Sequence, residues 1–154
     1  MEMRRGYHFI DGFGAFALEE PQQTSYLYFP LVNETGLVSS VTPSLHGDIK
    51  AGQHAYLTPP VSVEDLHNSR WARNFWVKVK GGQPWSATGN SAAQIAASQT
   101  EQADRVTLEA GFLWQRIRRS NPVYSLQVEI LNFVPSRDDR VELMQVTLEN
   151  TGSE

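Results

Sequence analysis

Three of the four tryptophans, Trp71, Trp76 and Trp85, fall in one short stretch beside Arg70, Arg73 and Asn74. A sugar presents apolar C–H faces and a rim of hydroxyls, so an indole platform flanked by guanidinium and amide donors has the composition of a carbohydrate site. The same composition builds a sheet core with arginines at its rim. For the tryptophans the core assignment carries more weight, because large buried aromatics are ordinary in sheets. Arg70 and Arg73 are the candidate substrate-binding residues: two cations three positions apart are costly to bury unpaired, so each must meet solvent, a carboxylate or a ligand. The competing assignment is a surface ion pair with Glu64 or Asp65, worth about 0–1 kcal/mol.

Other constellations are weaker. Among the four histidines, His46-Gly47-Asp48 and Glu64-Asp65-Leu66-His67 invite a metal, but neither has the three or four converging ligands a first shell requires. No metal or cofactor is expected. Asp11, Glu34, Asp48, Asp65 and Glu129 could serve as carboxylate acids or bases, yet spacing does not single out any pair, because such partners are usually distant in sequence. Gly12-Phe13-Gly14 lacks a following helix, so close strand packing explains it better than a dinucleotide fingerprint. Arg116 and Arg118 alternate with Arg119 along one segment and share a strand face, which predicts a solvated face in preference to a phosphate site.

The chain has 154 residues, 40% apolar and 19% charged, with net charge -4 and no cysteine. A domain of this length buries roughly 68–70% of the surface of its unfolded chain, so residues 1–154 are read as one globular domain without disulfide or metal staples. The acidic balance argues against a nucleic-acid partner, whose backbone requires clustered cations. The N-terminal segment MEMRRGYHF lacks an apolar signal, and no run approaches the roughly 20 residues that span a bilayer. A cytoplasmic protein without membrane association is expected.

Helical periodicity is nearly absent, and β-branched and aromatic segments recur between turn signals, which predicts an all-β antiparallel fold. Candidate strands are 13–19, 24–32, 36–42, 55–58, 73–80, 85–88, 105–110, 112–119, 123–134 and 140–150. Asn33-Glu34-Thr35-Gly36, Gly81-Gly82, Ser120-Asn121-Pro122 and the 135–139 segment supply the turns. Tyr124, Leu126, Val128 and Ile130 alternate with polar residues until Leu131 breaks the phase. In the last strand apolar residues occupy both faces, which predicts a bulge or cover on both sides; a packed double sheet explains both features. The Ala- and Gln-rich segment 90–104 has no apolar stripe and is expected as a surface insertion, helix or loop. Ser62 and Asp65 suggest one capped helical turn over 62–69.

The segments 24–48 (TSYLYFPLVNETGLVSSVTPSLHGD), 65–79 with 83–89 (DLHNSRWARNFWVKV and QPWSATG) and 130–152 (ILNFVPSRDDRVELMQVTLENTG) together resemble the N-terminal domain of inverting glycoside phosphorylases. These are the cellobiose, laminaribiose and related β-glucan phosphorylases of glycoside hydrolase family 94 and its neighbours. The resemblance implies an antiparallel β-sandwich of the galactose-mutarotase type, here incomplete, placed before a catalytic (α/α)6 barrel that these residues do not include. It implies reversible phosphorolysis of a β-glucoside to α-glucose 1-phosphate, with inorganic phosphate as co-substrate and no metal. It also implies a β-glucan oligosaccharide and the rest of the parent enzyme as partners, and a homodimer of the full-length enzyme. The 25–31 and 73–76 segments lean toward the β-1,3-glucan side. The family's general acid belongs to the barrel, so no catalytic residue is assigned. A stand-alone carbohydrate-binding module and a purely structural β-domain are the competing classes.

Overall fold

Turn chemistry sets the framework. At 33–36 the Asn33 carboxamide oxygen accepts from the Thr35 and Leu37 backbone N–H groups, both at 3.2 Å, while Gly36 takes φ 77°, a left-handed conformation natural to glycine. The Asn33 side-chain nitrogen then donates to the carbonyls of Pro135 (3.0 Å) and Asp139 (2.8 Å). One asparagine thus closes its own hairpin and fastens it to a turn a hundred residues later.

The computed structural model describes residues 6–24, 27–62, 64–65 and 72–153. Twelve strands are present among them: β1 (Tyr7–Phe9), β2 (Phe16–Glu19), β3 (Phe29–Val32), β4 (Val38–Val41), β5 (Ile49–Gly52), β6 (Ala55–Tyr56), β7 (Trp76–Lys78), β8 (Pro84–Ser86), β9 (Arg105–Gly111), β10 (Trp114–Asn121), β11 (Leu126–Phe133) and β12 (Leu143–Asn150). The only α-helix among the described residues is α1 (Ala92–Ala97). All strand pairs are antiparallel. The larger sheet runs β1-β2-β9-β10-β11-β12; β3-β4-β5-β6 and β7-β8 form two smaller ones. The molecule is therefore all-β, in a sandwich-like arrangement.

Every strand predicted from the sequence overlaps an observed one; 85–88 and 112–119 are displaced by one or two residues, and β9 runs one residue beyond the predicted 105–110. β1 and β5 escaped, being short and glycine-flanked. The segment 90–104 is partly helical as expected: Ser91 caps α1 by accepting from the Gln94 N–H at 3.2 Å, and α1 buries no residue fully. At 62–65, Asp65 N–H donates to Ser62 Oγ at 3.2 Å, as a cap would; the remainder of the predicted turn lies outside the described residues.

The larger sheet has one face against the smaller sheets. Val106, Leu108 and Ala110 of β9, Ile117 of β10, and Val128 and Ile130 of β11 point inward and pack with Leu31, Leu37, Val41, Leu45 and Trp85 of the second layer. Leu131 breaks the apolar phase because it faces outward, while Asn132 takes the inner position. Neither the bulge nor the cover on both sides expected for the last strand is there. β12 pairs with β11 in continuous register over eight residues, and its apolar residues lie on both faces because it is a sheet edge, partly exposed on each side.

The second layer is narrower than the first. At one edge, Tyr7 and Phe9 of β1 share the inner face with Leu18 and Phe16, yet are 62% and 67% exposed. At the other, Leu148 lies on the inner face opposite Val128 and is 42% exposed. β12 pairs only with β11 among the described residues, and its free edge carries neither Pro nor Lys, the usual protections against edge-to-edge pairing. The chain is accordingly expected to self-associate in a concentration-dependent way in light scattering. Leu148→Lys, which places an inward-pointing charge at that edge, should shift it toward monomer with little change in melting temperature; a wild-type chain that is monomeric at all concentrations would contradict this.

Candidate functional site

Arg73 lies in the segment leading into β7, where Arg73 N–H bonds to Leu45 O at 3.0 Å and holds that segment against the second layer. Its guanidinium meets Glu142 in a two-point contact, Nε to Oε1 at 2.6 Å and Nη2 to Oε2 at 2.8 Å. Nη2 also donates to Ser39 Oγ (2.9 Å) and Nη1 to Gly47 O (3.0 Å). Glu142 further accepts from the Ser39 hydroxyl and from Asn132 Nδ2 at 2.7 Å. The two charged side chains are 11% and 4% exposed, so this is a buried ion pair. The partner is not the neighbouring Glu64 or Asp65 but a carboxylate 69 positions away. Arg70 lies outside the described residues.

The tryptophans separate. Trp85 is 1% exposed, in the core, with its indole N–H on Asp104 at 3.2 Å. Trp76 is 52% exposed beside Phe75, which is 42% exposed. Asn74 accepts from Ser86 Oγ (3.0 Å) and from the Phe75 N–H (2.8 Å), so its oxygen serves the β7–β8 hairpin. Trp71 lies outside the described residues. Phase explains the split: Val77 and Trp85 are opposite each other on the buried face of the hairpin, and Trp76 is on the other face.

Sequence reasoning missed a second polar centre. Asp104, just before β9, receives Gln94 Nε2 (2.5 Å), Trp85 Nε1 (3.2 Å) and Arg119 Nη1 (3.3 Å) on one oxygen and Asn121 Nδ2 (2.7 Å) on the other. Arg119 also donates to Ala87 O and Thr88 O, at 3.2 and 3.1 Å. A Cβ on Gly89, which sits at φ 83°, would stand 2.6 Å from that guanidinium, so glycine is required there for both conformation and room. Burial pulls the Arg119 guanidinium below its usual range, and the Asp104 charge and hydrogen bond pull it back. The signal available in the sequence was Arg119 itself, out of phase with Arg116 and Arg118.

A cleft of about 180 Å³ opens above this centre, lined by Gln83, Trp85, Gln94, Asp104, Asn121 and Tyr124. That is below the roughly 300–1,000 Å³ of a typical ligand pocket, and its carboxylate is already occupied by four donors. Three of the carboxylates singled out in the sequence also have structural work. Asp11 accepts from Phe13 N–H and Ala15 N–H in the β1–β2 turn, Asp48 accepts from Val61 N–H at 2.9 Å, and Glu129 pairs with Arg118 at 2.8 Å. Glu34 is exposed in its turn. Among the described residues no group of three or more His, Asp or Glu converges as metal ligands would. His46 bridges to Ala72, His8 and His54 are exposed, and His67 lies outside the described residues.

Arg116 and Arg118 occupy the outer face of the large sheet in a ladder of charges: Arg116–Glu109 at 2.8 Å, Arg118–Glu109 at 2.7 Å and Arg118–Glu129 at 2.8 Å. Partial burial works against the Glu109 charge, but hydrogen bonds from the two arginines outweigh it and hold the carboxyl below the usual glutamate range.

No protein-family model matches the chain, and no curated protein matches it.

Two measurements follow from this geometry. Arg73→Ala leaves Glu142 buried without its counter-charge and should cost about 3–5 kcal/mol in urea unfolding, against the about 0–1 kcal/mol of a surface pair. A loss under about 1 kcal/mol would mean that the pair is solvated. Because the Glu109 value is lower folded than unfolded, its contribution is present above the usual glutamate range and is lost as pH falls through the lowered value. Glu109→Gln should therefore flatten the acid limb of the melting temperature–pH curve; an unaltered acid limb would remove Glu109 from that role.

Proposed function

We propose that this chain is the N-terminal β-sandwich part of an inverting glycoside phosphorylase that acts on β-glucan oligosaccharides in the cytoplasm. The observation that carries the reading is the narrow second layer. Inner-face Tyr7, Phe9 and Leu148 are left exposed at opposite edges of the large sheet, which fits a sandwich of the galactose-mutarotase type that continues in a longer polypeptide. The described parts of the three segments that resemble the phosphorylases include the β3–β4 hairpin, the Arg73 segment with β7 and β8, and the end of β11 with β12.

The chemistry of such an enzyme breaks the glycosidic C–O bond and forms a C–O bond to phosphate on the opposite face, while a carboxylic acid protonates the departing oxygen. In this reading that acid comes from the barrel. The two carboxylates at the polar centres, Asp104 and Glu142, are each committed to an arginine, which supports a positioning part for this domain. Within the pair singled out in the sequence, Arg70 is assigned to sugar or phosphate contact, and Arg73 to holding the segment that carries it.

A second reading, a carbohydrate-binding module, is favoured by exposed Phe75 and Trp76 on one short hairpin. The experiment that separates them incubates residues 1–154, and separately the longest polypeptide of the same reading frame, with laminaribiose or cellobiose and phosphate. Only the longer polypeptide should release glucose 1-phosphate, and Arg70→Ala in it should raise KM with little change in melting temperature. Turnover by residues 1–154 alone, or a reading frame without a helical barrel, would overturn the phosphorylase reading. In the latter case, sugar binding lost on Trp76→Ala would support the module.

A further inference from the structure

Gln115 of β10 and Asn132 of β11 stand directly opposite each other in the ladder, on the inner face, and both are 0% exposed. Each carboxamide is oriented by an acceptor: Gln115 Nε2 donates to Thr42 O at 3.2 Å, and Asn132 Nδ2 to Glu142 Oε1 at 2.7 Å. Turning either amide over would aim its oxygen at a carbonyl or a carboxylate, so the orientations are fixed by chemistry. Gln115 Oε1 and Asn132 Oδ1 are consequently left as buried acceptors with no donor among the described residues.

A buried acceptor without a donor loses its hydration with no return, and folded proteins carry few of them. Here two fall on directly facing residues, whose Cβ atoms in such a pair are about 4.5–5.5 Å apart. Two lone acceptors on facing residues call for one small guest that donates twice. We propose that a single water molecule is bound between Gln115 Oε1 and Asn132 Oδ1 and gives one hydrogen bond to each.

Charge decides between water and a metal ion. The one carboxylate at this place, Glu142, is already matched by the Arg73 guanidinium in a two-point contact, and the buried Asp48 carboxylate is turned to the Val61 N–H. A cation at the amide oxygens would add a buried charge with no counter-ion of its own, whereas water adds none. With the water in place, a continuous polar chain runs from Thr42 through Gln115, water, Asn132 and Glu142 to Arg73 and Ser39, crossing from the large sheet to the second layer at both ends.

The test uses the isotope-labelled chain. Nuclear Overhauser spectra should show cross-peaks of long residence between water and the side-chain amide protons of both Gln115 and Asn132, and a crystal structure should show one peak about 2.8 Å from both oxygens. The double variant Gln115→Met with Asn132→Leu should lose the water signal; if that variant does not fold, the wild-type spectra and density decide alone. Absence of the cross-peaks together with absence of the peak would overturn the proposal. So would a protein group donating to these oxygens, or a peak with four or more oxygens at about 2.3–2.6 Å, the signature of a bound cation.

Discussion

The contact between Arg73 and Glu142 ties together more separated parts of the chain than a single strand pairing, which joins two. Its members, with Ser39, Gly47 and Asn132, come from five separated parts of the sequence. Such a pair contributes little net stability against a well-packed apolar substitute, but it is unforgiving of misplacement, since either charge left alone in the interior is strongly unfavourable. It therefore acts on specificity: only one approach of the segment before β7 to the start of β12 brings the guanidinium and carboxylate together. Arg119 and Asp104 do the same near the end of β10. Between these two charged pins the interior at Ile117, Leu108, Val128 and Ile130 is apolar.

The pins also bear on what the domain can offer chemically. Arginines and carboxylates near aromatic residues are the raw material of a carbohydrate site, yet Arg73 and Arg119, the buried arginines among the described residues, are each held by a carboxylate and backbone carbonyls of the same chain. What remains accessible is aromatic: Phe75 and Trp76 on the β7–β8 hairpin, and Tyr7 and Phe9 along the β1 edge. Those surfaces suit packing against another element or a sugar face better than proton transfer.

Much of the fold was legible in the sequence because the turns are local chemistry. Asn33 and Gly36, Gly81, and Asn121, whose oxygen accepts from Tyr124 N–H at 2.7 Å, mark their hairpins without help from distant residues. β1 and β5 were not legible, since three or four residues beside glycine carry no period to count. The polar centres were half legible. Arg73 stood out as a cation that must be satisfied, but sequence proximity pointed to Glu64 and Asp65, and nothing local reveals a partner across the sandwich. Asp104 was hidden by a different route: it ends a segment without apolar periodicity, so it reads as surface, and only the fold over Trp85 and Arg119 buries it. The same holds for Asn132, whose phase in β11 was visible only as the place where Leu131 seemed out of step.

The order of strands in the large sheet has a kinetic consequence. β9 to β12 form a meander of consecutive hairpins, whereas β2 reaches β9 only after β3 to β8 have built the second layer. The entropy of closing so long an excursion grows slowly with its length, but none of it is recovered until Phe16 meets Ala110 and Leu18 meets Leu108. The meander is thus the natural nucleus, with β1 and β2 joining late. Until they join, β9 is itself an open edge, so the nascent chain passes through a stage in which its most regular sheet is unprotected on both flanks.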